Sequence, residues 1–180
     1  MQPPAHRLFF AIQPDAEAAD RIQQLLGALR RCHDLTGRAI ARPRLHITLA
    51  MAGASDAPPS DDTVAWARRA ASRIAERPFV VALNHVQAWI GEEARGPVVL
   101  LGDEGVIGVH QMRDALKTAL GGRTVQDAHY QPHLTLLYDR IGLLEQTIDP
   151  IRWMVRDFVL IHSPYGQGVH NILGRWPLGA

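Results

Sequence analysis

LHITLA, residues 45–50, and PHLTLL, residues 132–137, write the same phrase twice: a histidine, an apolar residue, a threonine and a leucine. At this chain's own frequencies of His, Thr and Leu, about 0.04 occurrences of His-x-Thr-Leu are expected by chance, so two copies are a signal. If residues 45–51 are extended, period-two alternation sends His46, Thr48 and Ala50 to one face and Leu45, Ile47, Leu49 and Met51 to the core. The second copy places His133, Thr135 and Leu137 on one face, opposite Leu134, Leu136 and Tyr138. Each strand then offers an imidazole and a hydroxyl side by side on an apolar backing. Two such strands opposed across a groove make a near-symmetric pocket.

Outward from the motifs, RLFFAI (7–12) suits a buried strand, and Gln13-Pro14-Asp15 turns the chain into a helix whose face is Ile22, Leu25, Leu26 and Leu29. A second helix is predicted from Asp61 to about Arg77, N-capped by Ser60, with Val64, Ala67, Ala71 and Ile74 inward. FVVALNHVQAWI and PVVLL read as a hairpin joined by GEEARG, and helical spacing returns from Gly105 to Leu120, ended by Gly121-Gly122. WMVRDFVLIHS and HNILGRW, separated by PYGQG, suggest a final hairpin. The resulting order β α β α β β α β β β predicts an α+β fold with antiparallel pairing rather than a doubly wound sheet or a sandwich. One motif falls in each half, after a helix and a turn-rich loop. The expectation is a single domain over residues 1–180, built as two pseudo-symmetric lobes.

Composition narrows the function. The chain has 180 residues with 47% hydrophobic content, enough for one compact core. No stretch approaches about 18 uninterrupted apolar residues, and the N-terminus lacks the pattern of a secretory leader, so a soluble, cytoplasmic protein without membrane contact is expected. The single cysteine, Cys32, excludes an intrachain disulfide. A net charge of +1 argues against a broad polyanion-binding surface, so any nucleic-acid contact is short. All of the 19 cationic residues but Lys117 are arginine, and Arg38, Arg42 and Arg44 crowd the first motif, where a planar fork suits phosphate oxygens.

Phosphodiester displacement needs a base where the nucleophile enters and an acid where the leaving oxygen departs. Two histidines with ordinary values of about 6.5 can divide those roles near neutral pH, and Thr48 and Thr135 can donate to nonbridging oxygens, with no metal or other cofactor required. A metal site is the rival chemical reading. His129 and His133 have zinc-helix spacing, but Pro132 breaks the helix and neither motif brings a nearby carboxylate. Cys32 has no histidine placed by pattern to activate it. His6, His33, His85, His110, His162 and His170 have no partnered pattern and read as surface or core residues.

The paired motifs, with RLFFAI, RPRLHITLAMAG, QAW, YQPHLTLLYD and FVLIHSPYGQGVHNILGRWPL in order, resemble the two-histidine phosphoesterase superfamily and its LigT-like RNA 2′,3′-cyclic phosphodiesterase (2′-5′ RNA ligase) branch. The resemblance covers most of the chain. It implies two lobes, each an antiparallel sheet lining a central cleft with helices outside. It implies hydrolysis of a 2′,3′-cyclic phosphate end to a 2′-phosphate, with reversible 2′-5′ RNA ligation in some members. By position, His46 would donate the proton to the departing O3′, His133 would activate water, and Thr48 and Thr135 would hold the phosphate. The expected partners are RNA ends or small cyclic nucleotides, on a monomer with no obligate protein partner. Two departures stand out. Tyr138 occupies a place where members often carry arginine, with Arg140 nearby but on the wrong face unless the strand bulges. His170 stands where members commonly have tyrosine, which leaves Tyr130 as either a base-stacking residue or core packing. The rival readings are an RNA-end-binding module that has lost catalysis and a phosphodiesterase for another small cyclic nucleotide.

Overall fold

A computed structural model describes residues 4–89, 96–122, 129–140 and 142–179. Residues 91–95 of the GEEARG turn lie outside the described residues. RLFFAI lies within β1 (His6–Ile12), and Asp15 caps α1 (Ala16–His33), its side chain accepting from the Ala18 amide at 2.8 Å. β2 (Ile47–Ser55) carries the first motif's threonine, with His46 just ahead of it. α2 (Asp61–Ala71) begins at Ser60, whose hydroxyl accepts from the Thr63 amide. There follow β3 (Phe79–Ala88), β4 (Gly96–Leu101), α3 (Ile107–Ala119), β5 (His133–Asp139), β6 (Gln146–Val155), β7 (Asp157–Pro164) and β8 (Asn171–Pro177).

Two elements differ from expectation. α2 stops well before Arg77: past Ala71 only Ile74 among the apolar positions still packs inward, and the chain tightens into three-residue turns through Arg73 and Ile74. The run WMVRDFVLIHS is two strands, divided at Arg156. β6 pairs with β3 at one edge of the sheet, whereas β7 pairs with β1 and β8 in the other half. The pattern hides β6 because it contains Pro150, which an edge strand tolerates in an irregular stretch of its ladder.

The strands form one antiparallel sheet in the order β6-β3-β4-β5-β2-β1-β7-β8. Read outward from the middle, its halves are β2-β1-β7-β8 and β5-β4-β3-β6, and the units β1-α1-β2 and β4-α3-β5 are equivalent. The two expected lobes are therefore four-stranded halves joined between β2 and β5 at a single register pair, Ile47↔Leu134. α1 lies against β6, and α3 against β2 and β3. One core spans both halves, with Phe10, Phe158, Ile22, Leu26, Ala67, Met112 and Leu116 buried in it. Fully burying each large side chain stabilises by roughly 1.5–3 kcal/mol. On the opposite side of the sheet Phe9, Ala11, Val159 and Ile161 form a small buried cluster with Met51 packed on it and no helix residue joining it; Val99 and Leu101, the register partners of Thr135 and His133, are buried on that side as well.

Bulges correct the simple alternation. Phe10 pairs with Ala50 and Ala11 with Thr48, so Leu49 is an extra residue; Leu49 and Ala50 both turn to the core, and Met51 crosses to the helix-free side beside Phe9. In β5, Val98 pairs with Leu137 and Val99 with Thr135, leaving Leu136 as the extra residue. Leu136 and Leu137 are both buried, Tyr138 swings out to 47% exposure, and Asp139 turns inward. Ala50 and Leu137 therefore do not share the histidine face, and Met51 and Tyr138 are not core residues of the helix side.

Asp139 then fastens the loop after α1, since one of its oxygens accepts from the amides of Thr36 at 2.8 Å and Gly37 at 2.7 Å. Gly37 sits so close that a Cβ would lie 2.1 Å from the Tyr138 carbonyl oxygen. Backbone cannot yield there as a flexible side chain can. Gly37→Ala is expected to cost about 3 kcal/mol, read as a lowered denaturant midpoint.

Candidate active site

Each motif histidine is fixed by the backbone two residues before it. His46 Nδ1 lies 2.7 Å from the Arg44 carbonyl oxygen and His133 Nδ1 lies 2.8 Å from that of Gln131. A carbonyl can only accept, so Nδ1 carries the proton in both rings and Nε2 is the nitrogen whose lone pair can do chemistry. The geometry is local in origin. A short 3-10 turn over Arg42–Arg44, opened by Pro43, sets the approach to β2, and Pro132 precedes β5.

The register pair Ile47↔Leu134 does the rest. Extending antiparallel pairing by one residue each way sets His46 level with Thr135 and Thr48 level with His133, all four on the helix-free side. Imidazoles and hydroxyls thus alternate at the corners of a square. The histidines occupy one diagonal, where side chains of neighbouring strands stand about 7–8 Å apart at Cα. The space between the corners is bounded by an imidazole on each end of one diagonal and a hydroxyl on each end of the other. His46, Thr48, His133 and Thr135 are each partly exposed rather than sealed in the core.

Aromatic rings wall the two corners. Trp89 stands edge-on to His133 with centroids 4.6 Å apart, while Phe9 and His170 approach His46 at 5.3 Å and 5.0 Å. Burial pushes the His46 pKa down to about 4; the Arg44 carbonyl bond opposes the shift, and the charges of His133 and Arg44 add to it. His46 is therefore neutral near pH 7 in the empty site, and the charge of a bound anion would favour the imidazolium against that shift.

The remaining candidates separate. The Tyr130 hydroxyl donates to the Thr48 carbonyl at 2.7 Å, and its ring is covered by the Arg113 guanidinium at 3.8 Å and flanked by His110, both from α3. Arg113 also donates to the carbonyl of the bulged Leu49 at 3.1 Å. Tyr130 is thus a strut behind the motif strand, not an open stacking surface. Tyr130→Phe, which removes only the hydroxyl, should lower stability by about 1 kcal/mol at unchanged m-value in denaturant titration. The Leu136 bulge returns both positions 138 and 140 to the histidine side: Tyr138 is exposed there, and exposed Arg140 follows the end of β5. Arg42 is held by Asp20 and by the Ala16 carbonyl on α1, away from the square. His170, read as an unpartnered residue, is instead in ring contact with His46. Its distance from the motifs along the chain left no pattern to find. Cys32 is exposed on α1, and among the described residues no three His, Cys, Asp or Glu side chains form a group that could hold a metal ion.

A family model described as the 2′-5′ RNA ligase superfamily matches residues 13–164. The chain belongs to that superfamily. Its function is of the phosphoesterase or 2′-5′ RNA ligase type. Among solved structures, E. coli LigT complexed with NADP+ and with 3′-AMP each match at TM-score 0.75 and 28% identity, covering 99% of this chain and 100% of that one. A Thermus thermophilus protein, TT0787, matches at TM-score 0.70 and 20% identity over 96% of this chain and 97% of its own, which shows a shared fold. No curated protein matches significantly. In this chain the α+β architecture sets the two His-x-Thr segments on the adjoining strands β2 and β5. Among the described residues no helix is long and apolar enough to cross a membrane.

Proposed function

We propose that the chain hydrolyses 2′,3′-cyclic phosphate ends of RNA or nucleotides to 2′-phosphates by paired-histidine acid and base catalysis, without a metal ion. The observation that carries this reading is the alternating square of His46, Thr135, His133 and Thr48, with each imidazole anchored to backbone through Nδ1. The bound cyclic phosphate holds His46 as the imidazolium; His133 Nε2 takes a proton from water as its oxygen bonds to phosphorus, the P–O3′ bond breaks, and His46 gives its Nε2 proton to O3′. The hydroxyls of Thr48 and Thr135 donate to the nonbridging oxygens as charge shifts onto them. The order of acid and base comes from the family resemblance. With a ribose 5′-hydroxyl in place of water as the nucleophile, the same step in the same direction forms a 2′-5′ diester as the P–O3′ bond breaks, so the same groups serve 2′-5′ ligation. The E. coli LigT complexes with 3′-AMP, phosphate, ATP and NADP+ are consistent with a site for nucleotide phosphates.

The test is product analysis on an oligonucleotide ending in a 2′,3′-cyclic phosphate. A 2′-phosphate end and a rate unchanged by EDTA are expected. A 3′-phosphate end would reverse which ester bond breaks, and loss of activity on chelation restored by zinc would replace the mechanism with a metallohydrolase. Tight binding of the cyclic end with no turnover would select an RNA-end-binding module, for which Tyr138 at the arginine position is the motivating feature.

A further inference from the structure

One corner of the square holds polar groups that the acid and base roles leave unused. His170, just ahead of β8, has its ring centroid 5.0 Å from that of His46 and 5.8 Å from that of Phe9. Its Nδ1 is buried and has no hydrogen-bond partner among the described residues. Arg44 enters the same corner: its Nη1 lies 3.7 Å from the point where a Cβ on Gly168 would stand, in the turn between β7 and β8. Its Nε is also buried without a partner among the described residues. Its charge acts on both imidazoles, and burial first, then His46 and Arg44, push the His170 pKa down to about 4.

Among the described residues, Arg30 Nε on α1, His85 Nδ1 on β3 and Trp153 Nε1 on β6 are also buried without a hydrogen-bond partner, but Arg44 and His170 stand together in one corner. Arg42 pairs with Asp20 and Arg175 with Asp157, whereas among the described residues no carboxylate lies within salt-bridge distance of Arg44. A buried polar nitrogen left without a partner is unfavourable, and one on a guanidinium cation together with one on the imidazole beside it make the complement of an anion. The position of this corner sets which anion. In the proposed reaction His46 protonates O3′, so the ribose of the cyclic end lies on His46's side, and the RNA chain continues from that ribose to its next phosphate.

We propose that Arg44 and His170 form a second anion subsite that takes the phosphodiester preceding the cyclic end, so that the enzyme selects oligonucleotide ends over mononucleoside cyclic phosphates. The inference rests on the functional reading given above. A mononucleoside cyclic phosphate has one anionic group and leaves this corner empty; a dinucleotide fills it.

The experiment compares kcat/KM for a dinucleotide ending in a 2′,3′-cyclic phosphate with that for the same dinucleotide bearing a neutral methylphosphonate linkage. The native protein should favour the charged linkage by about tenfold, and Arg44→Gln and His170→Gln should each bring that ratio toward one. The ratio within each variant is the readout, because either change can also alter the rate at the neighbouring His46. The Arg44 carbonyl that orients His46 survives the substitution, and His170→Gln carries the comparison if the Arg44 variant fails to fold. Equal turnover of both linkages by the native protein would overturn the subsite and leave the cyclic phosphodiesterase reading intact. Absence of turnover on every cyclic substrate would sink that reading instead. Calorimetry with inorganic pyrophosphate then decides the subsite: tighter binding than phosphate, weakened about tenfold by Arg44→Gln, supports it, and equal affinities overturn it.

Discussion

Asparagine in place of His46 or of His133 is expected to lower kcat/KM for a 2′,3′-cyclic phosphate substrate by about 10²–10⁴-fold while the protein stays folded. Asparagine is the informative choice. Its amide can still donate to the carbonyl of Arg44 or Gln131, which holds each native ring by Nδ1, but it can neither take nor release a proton at the place of Nε2. The loss is therefore one of proton transfer and not of local structure. A thermal melt of each variant close to that of the native chain checks the second half of the statement. The two single variants should each cost nearly as much as the double variant, because base and acid act in one displacement. Thr48 and Thr135, which supply hydrogen bonds and no proton transfer, should cost less when changed to valine. Native-like turnover in either asparagine variant would remove the paired-histidine mechanism.

The affinity of the site for sulfate should rise as pH falls from about 7 toward 5, by up to about tenfold per pH unit, and this dependence should flatten in His46→Asn. Sulfate is chosen because its own charge is constant across that range. The sign follows from the empty site, where burial first and then the charges of His133 and Arg44 hold the His46 pKa down to about 4. An anion between the motif residues favours the imidazolium, so binding takes up a proton, and lower pH supplies it. The same shift has an opposite consequence for the unliganded protein. His46 and His170 both sit near 4, below the value of about 6.5 for an unfolded chain. Between those two values the unfolded state binds more protons, so the contribution of these groups is fully present above about 6.5 and is lost as pH falls toward 4. Sulfate should offset the loss. Calorimetric titration across pH and thermal melts with and without sulfate measure both effects. A sulfate affinity independent of pH would show that His46 does not face the anion.

The elements whose causes are local were legible in the sequence. Asp15 and Ser60 cap their helices through their own side chains, and Gly121 and Gly122 take positive φ angles just past the end of α3. The repeated His-x-Thr announced two half-buried strands, and both imidazoles are anchored by a carbonyl only two residues away. Where the sequence misled, the deciding partner lay on another strand or helix. The extra residues Leu49 and Leu136 exist only by comparison with β1 and β4, yet they move Met51 and Tyr138 to the helix-free side. Arg113 and Tyr130 meet behind β2 although one belongs to α3 and the other to the approach to β5. His170 reaches His46 through strand pairing in the half-sheet that β1 and β7 share.

By itself, then, the amino-acid order determined which residues could do chemistry, because side-chain period, caps and turns depend on neighbours a few positions away. Only the tertiary structure decided which of them meet. The contact of β2 with β5 at Ile47 and Leu134 sets the corners of the site, and no pattern within either strand specifies that register.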